Sequence, residues 1–212
     1  MKSLKVNVEK LIVGPLASNC YIVWDHDAEE GVVIDPGDDA QIILERINEL
    51  DLEIKYILVT HGHFDHVGAV AALKKELKSD FFAHKGDLFF IEDSDNAAMR
   101  WGFKIEKPPK PDRFIEDGDI IKVGGFEFKV IHTPGHSPGG VSFVYNAMVF
   151  CGDTLFQGSI GRTDFRKGSF EELAKSIKTR LYNLPDDTLV YTGHGPSTNI
   201  RTEKKYNPFV RS

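Results

Sequence analysis

Between Tyr56 and Val70 the chain reads YILVTHGHFDHVGAV, with three histidines and an aspartate packed into His61–His66. Residues at i and i+2 lie on nearly opposite sides of a helix but on the same side of a strand. His61 and His63 can therefore converge on one ion only from an extended segment, at the end of the apolar run ILVT. The continuous apolar character of that run suggests a strand covered on both faces. Gly62 permits a tight turn there. Asp65 and His66 then open the next helix, whose positive end favours a carboxylate. Four such ligands exceed what one tetrahedral ion usually takes from a single segment. The spacing predicts two ions side by side, with His61 and His63 serving one and Asp65 and His66 the other. The remaining ligands must come from elsewhere.

Candidates stand in similar settings. VIHTPGHSPGG carries His132 and His136, VFCGDTLF carries Asp153, and LVYTGHGPS carries His194. Asp153 and His194 each follow an apolar strand beside a glycine, and such strand-end loops are where folds place chemistry. His136 is flanked by turn residues. His132 reads as a group that orients a ligand. His26 and His84 have no partner in sequence and read as ordinary polar residues. Cys20 and Cys151 sit in apolar stretches and read as buried, reduced thiols.

The 212 residues suit one large domain or two small ones. A hydrophobic content of 41% and a charged content of 27% are ordinary for a soluble chain. The formal net charge of −6 weighs against a nucleic-acid partner. No stretch approaches the ~20 apolar residues of a membrane span. The first residues lack the apolar run of a signal peptide, so a cytoplasmic protein is expected, with no membrane partner. Strands are expected at KVNVEKLIV, NCYIVWD, GVVIDPG, IKYILVT, DFFAH, DIIKVGGFEFKVIHT, GVSFVYN, AMVFCGD and DTLVYTG. Helices are expected at DDAQIILERINEL, with Asp38 or Asp39 as N-cap, at Val67–Leu77, briefly at KGDLFFIED, and at SFEELAKSIKTRL. In the last, Ser169 and Glu172 fit a capping box, and Phe170, Leu173, Ile177 and Leu181 share a face. Residues 92–119 are polar and proline-bearing around Trp101 and Phe103. They read as an irregular binding loop, lid or linker. The two strand-then-helix halves predict two sheets with helices outside.

THGHFDH, TPGHSPGG, FCGDTLF and YTGHGP, in that order over residues 60–196, resemble the metallo-β-lactamase superfamily. The resemblance implies an α/β fold, an αββα sandwich of two mixed β-sheets with helices on the outer faces, as a single domain over residues 1–212. It implies one ion on His61, His63 and His136, a second on Asp65, His66 and His194, and Asp153 bridging them. Asp65 and Asp153 are the carboxylates it places in catalysis. The bridging aspartate, NCY near the N-terminus and GSIGRTDF after Asp153 resemble a compact, glyoxalase II-like (hydroxyacylglutathione hydrolase-like) branch. The sequence given ends 18 residues after His194, so the C-terminal helical region that helps full-length glyoxalase II hold glutathione is not expected.

That branch implies a metal-dependent hydrolase of a small-molecule thioester, such as S-lactoylglutathione. Attack is expected from a hydroxide shared by two divalent ions, zinc in the first place, with iron or manganese as alternatives. A thiol of pKa about 8.5 leaves without a strong acid catalyst. The chain is read as lacking a G-x-S-x-G nucleophile elbow, and Cys151 as too deep in a strand to attack, so no covalent intermediate is expected. Arg162 and Arg166 are candidates to meet a substrate carboxylate. Arg162 alternatively pairs with Asp164. Trp101 and Phe103 either lid the site or anchor their loop. Rival readings are a single-iron persulfide dioxygenase, a lactonase, a nuclease and a non-catalytic metal-binding scaffold.

Overall fold

A computed structural model describes residues 6–211. The expectation that no signal peptide is present rests partly on residues 1–5, which lie outside the described residues.

The first sheet contains β1 (Val6–Val13), β2 (Ser18–Asp25), β3 (Glu30–Ile34), β4 (Glu53–Leu58), β5 (Asp80–His84) and β6 (Arg113–Ile115), hydrogen-bonded in that order. β1 to β3 pair antiparallel, and β3 to β6 run parallel. Helices α1 (Ala40–Glu49), α2 (Phe64–Val67), α3 (Val70–Leu77), α4 (Leu88–Glu92) and α5 (Ser94–Arg100) lie in its connections. The second half of the chain supplies β7 (Ile120–Val123), β8 (Phe126–His132), β9 (Val141–Tyr145) and β10 (Met148–Gly152). A small hairpin, β11 (Leu155–Phe156) with β12 (Ser159–Ile160), and helix α6 (Phe170–Ser176) precede β13 (Leu189–Thr192), β14 (Thr198–Asn199) and α7 (Ile200–Tyr206). This sheet is ordered β14-β13-β10-β9-β8-β7, and only β10 and β13 run parallel.

Two-residue alternation divides each central strand between two apolar layers. Tyr21 and Val23 of β2, Leu58 of β4 and Phe82 of β5 join Phe128, Phe143 and Phe150 of the second sheet in one buried cluster. Cys20, Ile22, Ile57 and Phe81 face the other way, onto Ile43 and Ile47 of α1 and Leu73 of α3. Val149 and Cys151 of β10 pack on Leu173, Ile177 and Ile200 from the helices of the opposite face. Three cores in series are the expected αββα sandwich. Both cysteines are free and buried, as expected. Burial pushes the Cys151 thiol up to about 12. No helix among the described residues is long and apolar enough to cross a membrane.

Four local expectations need correction. Residues 92–119 are not irregular throughout, because α5 and β6 lie within them. The helix expected over Val67–Leu77 breaks at Gly68 and Ala69, where the Ala69 amide bonds the Pro36 carbonyl at 3.0 Å. Asp39 occupies the N-cap position of α1, but its carboxylate accepts from the Gly14 amide at 2.8 Å and caps no helical amide. Phe170 is exposed, and only Leu173, Ile177 and Leu181 of its expected stripe are buried. Ser169 does cap α6, accepting from the Glu172 amide at 3.2 Å.

Candidate metal centre

The C-terminal ends of β3, β4, β8, β10 and β13 open on one edge of the sandwich, and the loops that follow carry Asp35, His61, His136, Asp153 and His194. His63, Asp65 and His66 complete the gathering from the β4–α2 turn. Ligand atoms of His61, His63 and His136 lie within 4.8 Å of one another, and so do those of Asp65, His66 and His194. Asp153 stands between the two groups. Its Oδ1 is 3.5 Å from His66 Nε2, and its Oδ2 is 3.6 Å from His136 Nε2 and 3.7 Å from His194 Nε2. Asp65 Oδ2 is 3.3 Å from His194 Nε2 and 3.6 Å from His66 Nε2.

Hydrogen bonds behind the rings set which nitrogen faces inward. The Arg162 carbonyl can only accept, so His136 Nδ1 donates to it, at 2.7 Å, and the neutral ring keeps its Nε2 lone pair for the centre. His194 Nδ1 donates likewise to the Leu16 carbonyl at 3.1 Å, and His66 Nδ1 to the Asp35 carboxylate at 3.1 Å. The Thr60 hydroxyl gives its proton to Asp35 at 2.6 Å, leaving its oxygen as acceptor for His61 Nδ1 at 3.1 Å. His63 turns Nδ1 inward, 2.9 Å from His136 Nε2.

In the half built from His61, His63 and His136, ring nitrogens therefore face one another across a buried space. His61 Nε2 and Asp153 Oδ1 are both buried without a hydrogen-bond partner. Metal–ligand bonds of about 2.0–2.2 Å in a tetrahedron imply ligand–ligand edges of about 3.3–3.6 Å, close to the spacings seen. The donor set fits divalent cations. Ligand atoms of Asp35, His61 and His66 also lie within 4.8 Å of one another. Asp35 is better explained as a clamp, because its oxygens already accept from the Thr60 amide, the Thr60 hydroxyl and His66.

Charge divides the site. Burial and then the neighbouring imidazoles hold His61 well below its ordinary pKa, and His63 falls to about 3, chiefly through burial. Burial also opposes a charge on His66, but Asp65, Asp153 and Asp35 outweigh it and raise that ring to about 10. Burial opposes ionisation of Asp65 too, yet His66 and His194 keep its carboxyl below the usual range. In the imidazole half burial thus favours the neutral ring at His61 and His63, whereas in the other half carboxylates surround and favour a charged His66.

Sequence reasoning missed Asp35 and Asp87. Asp35, in VVIDPG, closes an apolar strand at its C-terminal end, the same kind of setting that singled out Asp153, and that was the available signal. Asp87 had none. It is buried in the turn before α4, and it accepts from the Gly62 amide at 2.9 Å, the Ser137 hydroxyl at 2.6 Å and the Gly139 amide at 2.6 Å. It thus ties the His61–His63 turn to the His136 loop. That loop contains Gly135-His136-Ser137-Pro138-Gly139, which does match G-x-S-x-G, so the reading that the chain lacks this motif is corrected. Ser137 is fully buried and spends its proton on Asp87, so it is not an exposed nucleophile. His132 bonds the Pro138 carbonyl at 3.0 Å and stacks on His84, with ring centroids 4.5 Å apart. It steadies the loop instead of orienting a ligand ring, and His84 does have a partner.

A cavity of about 1020 Å³ opens above the centre. Arg162 and Arg166 both line it. Arg162 is held by Asp164 at 2.9 and 3.0 Å, the structural pairing expected, while Arg166 has no ion-pair partner among the described residues. Phe103 packs on Phe64 and anchors its segment, whereas Trp101 lines the cavity mouth.

The family model for the metallo-beta-lactamase superfamily matches residues 13–194. Hydroxyacylglutathione hydrolase GloC of Haemophilus influenzae is 42% identical over 98% of this chain and 99% of its own. Among solved structures, BLEG-1 B3 metallo-beta-lactamase superposes with a TM-score of 0.91 at 38% identity, over 97% of this chain and 100% of its own. TTHA1623 in a di-iron-bound form gives a TM-score of 0.87 at 43% identity, over 95% of this chain and 99% of its own. With matching fold, motif order and donor geometry, the chain belongs to the metallo-beta-lactamase superfamily.

Proposed function

We propose that this protein is a metal-dependent hydrolase of thioesters, S-lactoylglutathione being the reference substrate. His61, His63 and His136 would hold one divalent ion, Asp65, His66 and His194 a second, and Asp153 both. The observation that carries this reading is the Asp153 carboxylate, whose two oxygens face donors of both groups. Two divalent ions held there supply Lewis acidity to a carbonyl and bring the pKa of water toward neutrality. Zinc, iron and manganese all suit nitrogen and carboxylate donors without thiolates. The relative named hydroxyacylglutathione hydrolase supports the thioester, and the di-iron-bound neighbour supports a pair of ions.

The chain's own residues supply orientation. Hydrogen bonds from Nδ1 fix the His66, His136 and His194 rings, and Ser18 donates to Asp65 at 3.3 Å. Phe90 and Phe165 cover the edge of His63 and exclude water from that side. Arg166, with Arg162 beside it, would receive a carboxylate of the substrate. The thiolate leaves without an acid catalyst. Ligands drawn from both sheets support reading the chain as a single domain.

The test is hydrolysis of S-lactoylglutathione by protein of known metal content, followed by thiol release. Turnover should track two ions per chain, and Asp153→Ala should abolish both metal binding and turnover. A folded, metal-poor Asp153→Ala protein with near-normal turnover overturns the proposal.

A further inference from the structure

The rings around the cavity say more about the substrate, granted the thioesterase reading. Phe90 meets the edge of His63 with ring centroids 4.7 Å apart, and Phe165 meets the same ring at 5.4 Å and His136 at 5.8 Å. Phe89 lies 4.0 Å from Phe90, and the Lys167 ammonium caps its outer face at 3.8 Å. Phe156 stands 6.3 Å from His194. Trp101 lines the same cavity and is 55% exposed. These rings come from four segments of the chain, and none belongs to the three buried cores. They line the cavity above the centre, where the reacting carbonyl would lie, with the Arg162 guanidinium over the Phe165 ring at 4.3 Å.

An apolar wall of this kind marks a binding surface, because contiguous apolar area is costly to leave in water. A lactoyl group offers that wall one methyl. A ring-sized acyl group would cover it. We propose that the site selects thioesters whose acyl group is bulky and apolar, aromatic in preference, seated among Phe90, Phe165 and Trp101.

Two thioesters of the same thiol isolate the acyl group. S-mandeloylglutathione differs from S-lactoylglutathione by a phenyl ring in place of the methyl. With metal-loaded protein, kcat/KM for the mandeloyl ester should exceed that for the lactoyl ester about tenfold or more, the order expected when most of a phenyl ring leaves water. Trp101→Ala removes an exposed side chain, so the fold should survive, and the ratio should fall severalfold. Equilibrium binding supplies an independent readout, in which S-benzylglutathione should bind about tenfold tighter than S-methylglutathione, and Trp101→Ala should narrow the gap. Cleavage of both esters at equal rates, or faster cleavage of the lactoyl ester, overturns this inference and leaves the thioesterase reading intact. Cleavage of neither ester overturns both. Equal affinity for the two S-alkyl probes overturns the ring-binding wall whatever the turnover.

Discussion

Asp87 touches no donor of the metal centre, yet it closes hydrogen bonds to both loops that carry the imidazole half. Removing its carboxylate strands two buried amides and a hydroxyl. Such groups cost about 1–3 kcal/mol each when left unsatisfied, with partial relief from relaxation. Asp87→Ala should therefore lose about 3 kcal/mol in urea unfolding and bind metal more weakly, with Asp87→Asn intermediate because it keeps one acceptor. Wild-type metal affinity in a destabilised Asp87→Ala protein would make the residue purely structural. Asp25 permits a pH prediction. Burial pushes its carboxyl up, but amides of Gly125, Asp27 and Ala28 outweigh that and lower its pKa. The unfolded chain then takes up the proton first as pH falls. The stability from Asp25 is full above about pH 4 and is lost as pH falls through the lower folded value. The stability gap between wild type and Asp25→Asn should be wide at pH 7 and close in acid, as measured by denaturant melts across pH.

At the scale of elements, the parallel pair β10–β13 shifts register between Phe150 and Gly152, and this bulge aims Asp153 into the centre. Gly152 turns there at φ 51°, and the Gly193 amide bonds its carbonyl at 2.8 Å. A Cβ on Gly193 would lie 2.0 Å from Asp153 Oδ1 and 3.0 Å from the His66 ring. Gly193→Ala should fold but lose metal, which metal analysis of the purified variant would show directly. Helix α6 is bolted to the same region, since the Ser169 amide bonds the Gly135 carbonyl at 2.8 Å beside His136. Ser169→Ala should cost about 1 kcal/mol, the usual worth of a helix cap, in a thermal or urea melt. Ser169, immediately before the helix, was legible because capping is local chemistry. The break between α2 and α3 was not, because the carbonyl that interrupts the helix belongs to Pro36.

The whole molecule is stitched together at its metal edge. Asn19 on β2 donates its side-chain amide to the Thr192 and Gly195 carbonyls, each at 2.9 Å, and Tyr21 donates its hydroxyl to Thr192 O at 2.6 Å. The Asn19 amide bonds the Gly193 carbonyl at 2.7 Å, and the Val141 amide bonds the Thr60 carbonyl at 2.8 Å. These bonds hold the His194 loop of one sheet against the other. Asn19→Ala should cost about 2 kcal/mol and weaken the Asp65, His66 and His194 half, whereas Tyr21→Phe should cost about 1 kcal/mol and leave metal binding intact. Urea melts paired with metal titration separate the two. The sequence by itself determined the strand-to-turn placement of the histidine cluster and the division into two sheets with outer helices, and it singled out His61, His63, Asp65, His66, His136, Asp153 and His194 as the candidate donors that the fold gathers at one edge. Those follow from periodicity, turn chemistry and donor type, all written within a few residues, with the motif resemblance joining the separate segments. Only the tertiary structure decided which nitrogen each ring presents, that Asp35 and Asp87 brace the centre, that Ser137 is buried, and that unburied aromatic rings wall the cavity. The bonds that orient the His66 and His194 rings join residues 31 and 178 positions apart. No local pattern encodes such contacts, because the first exists only once β3 and β4 pair side by side and the second only once the two sheets pack face to face and bring their strand ends to one edge.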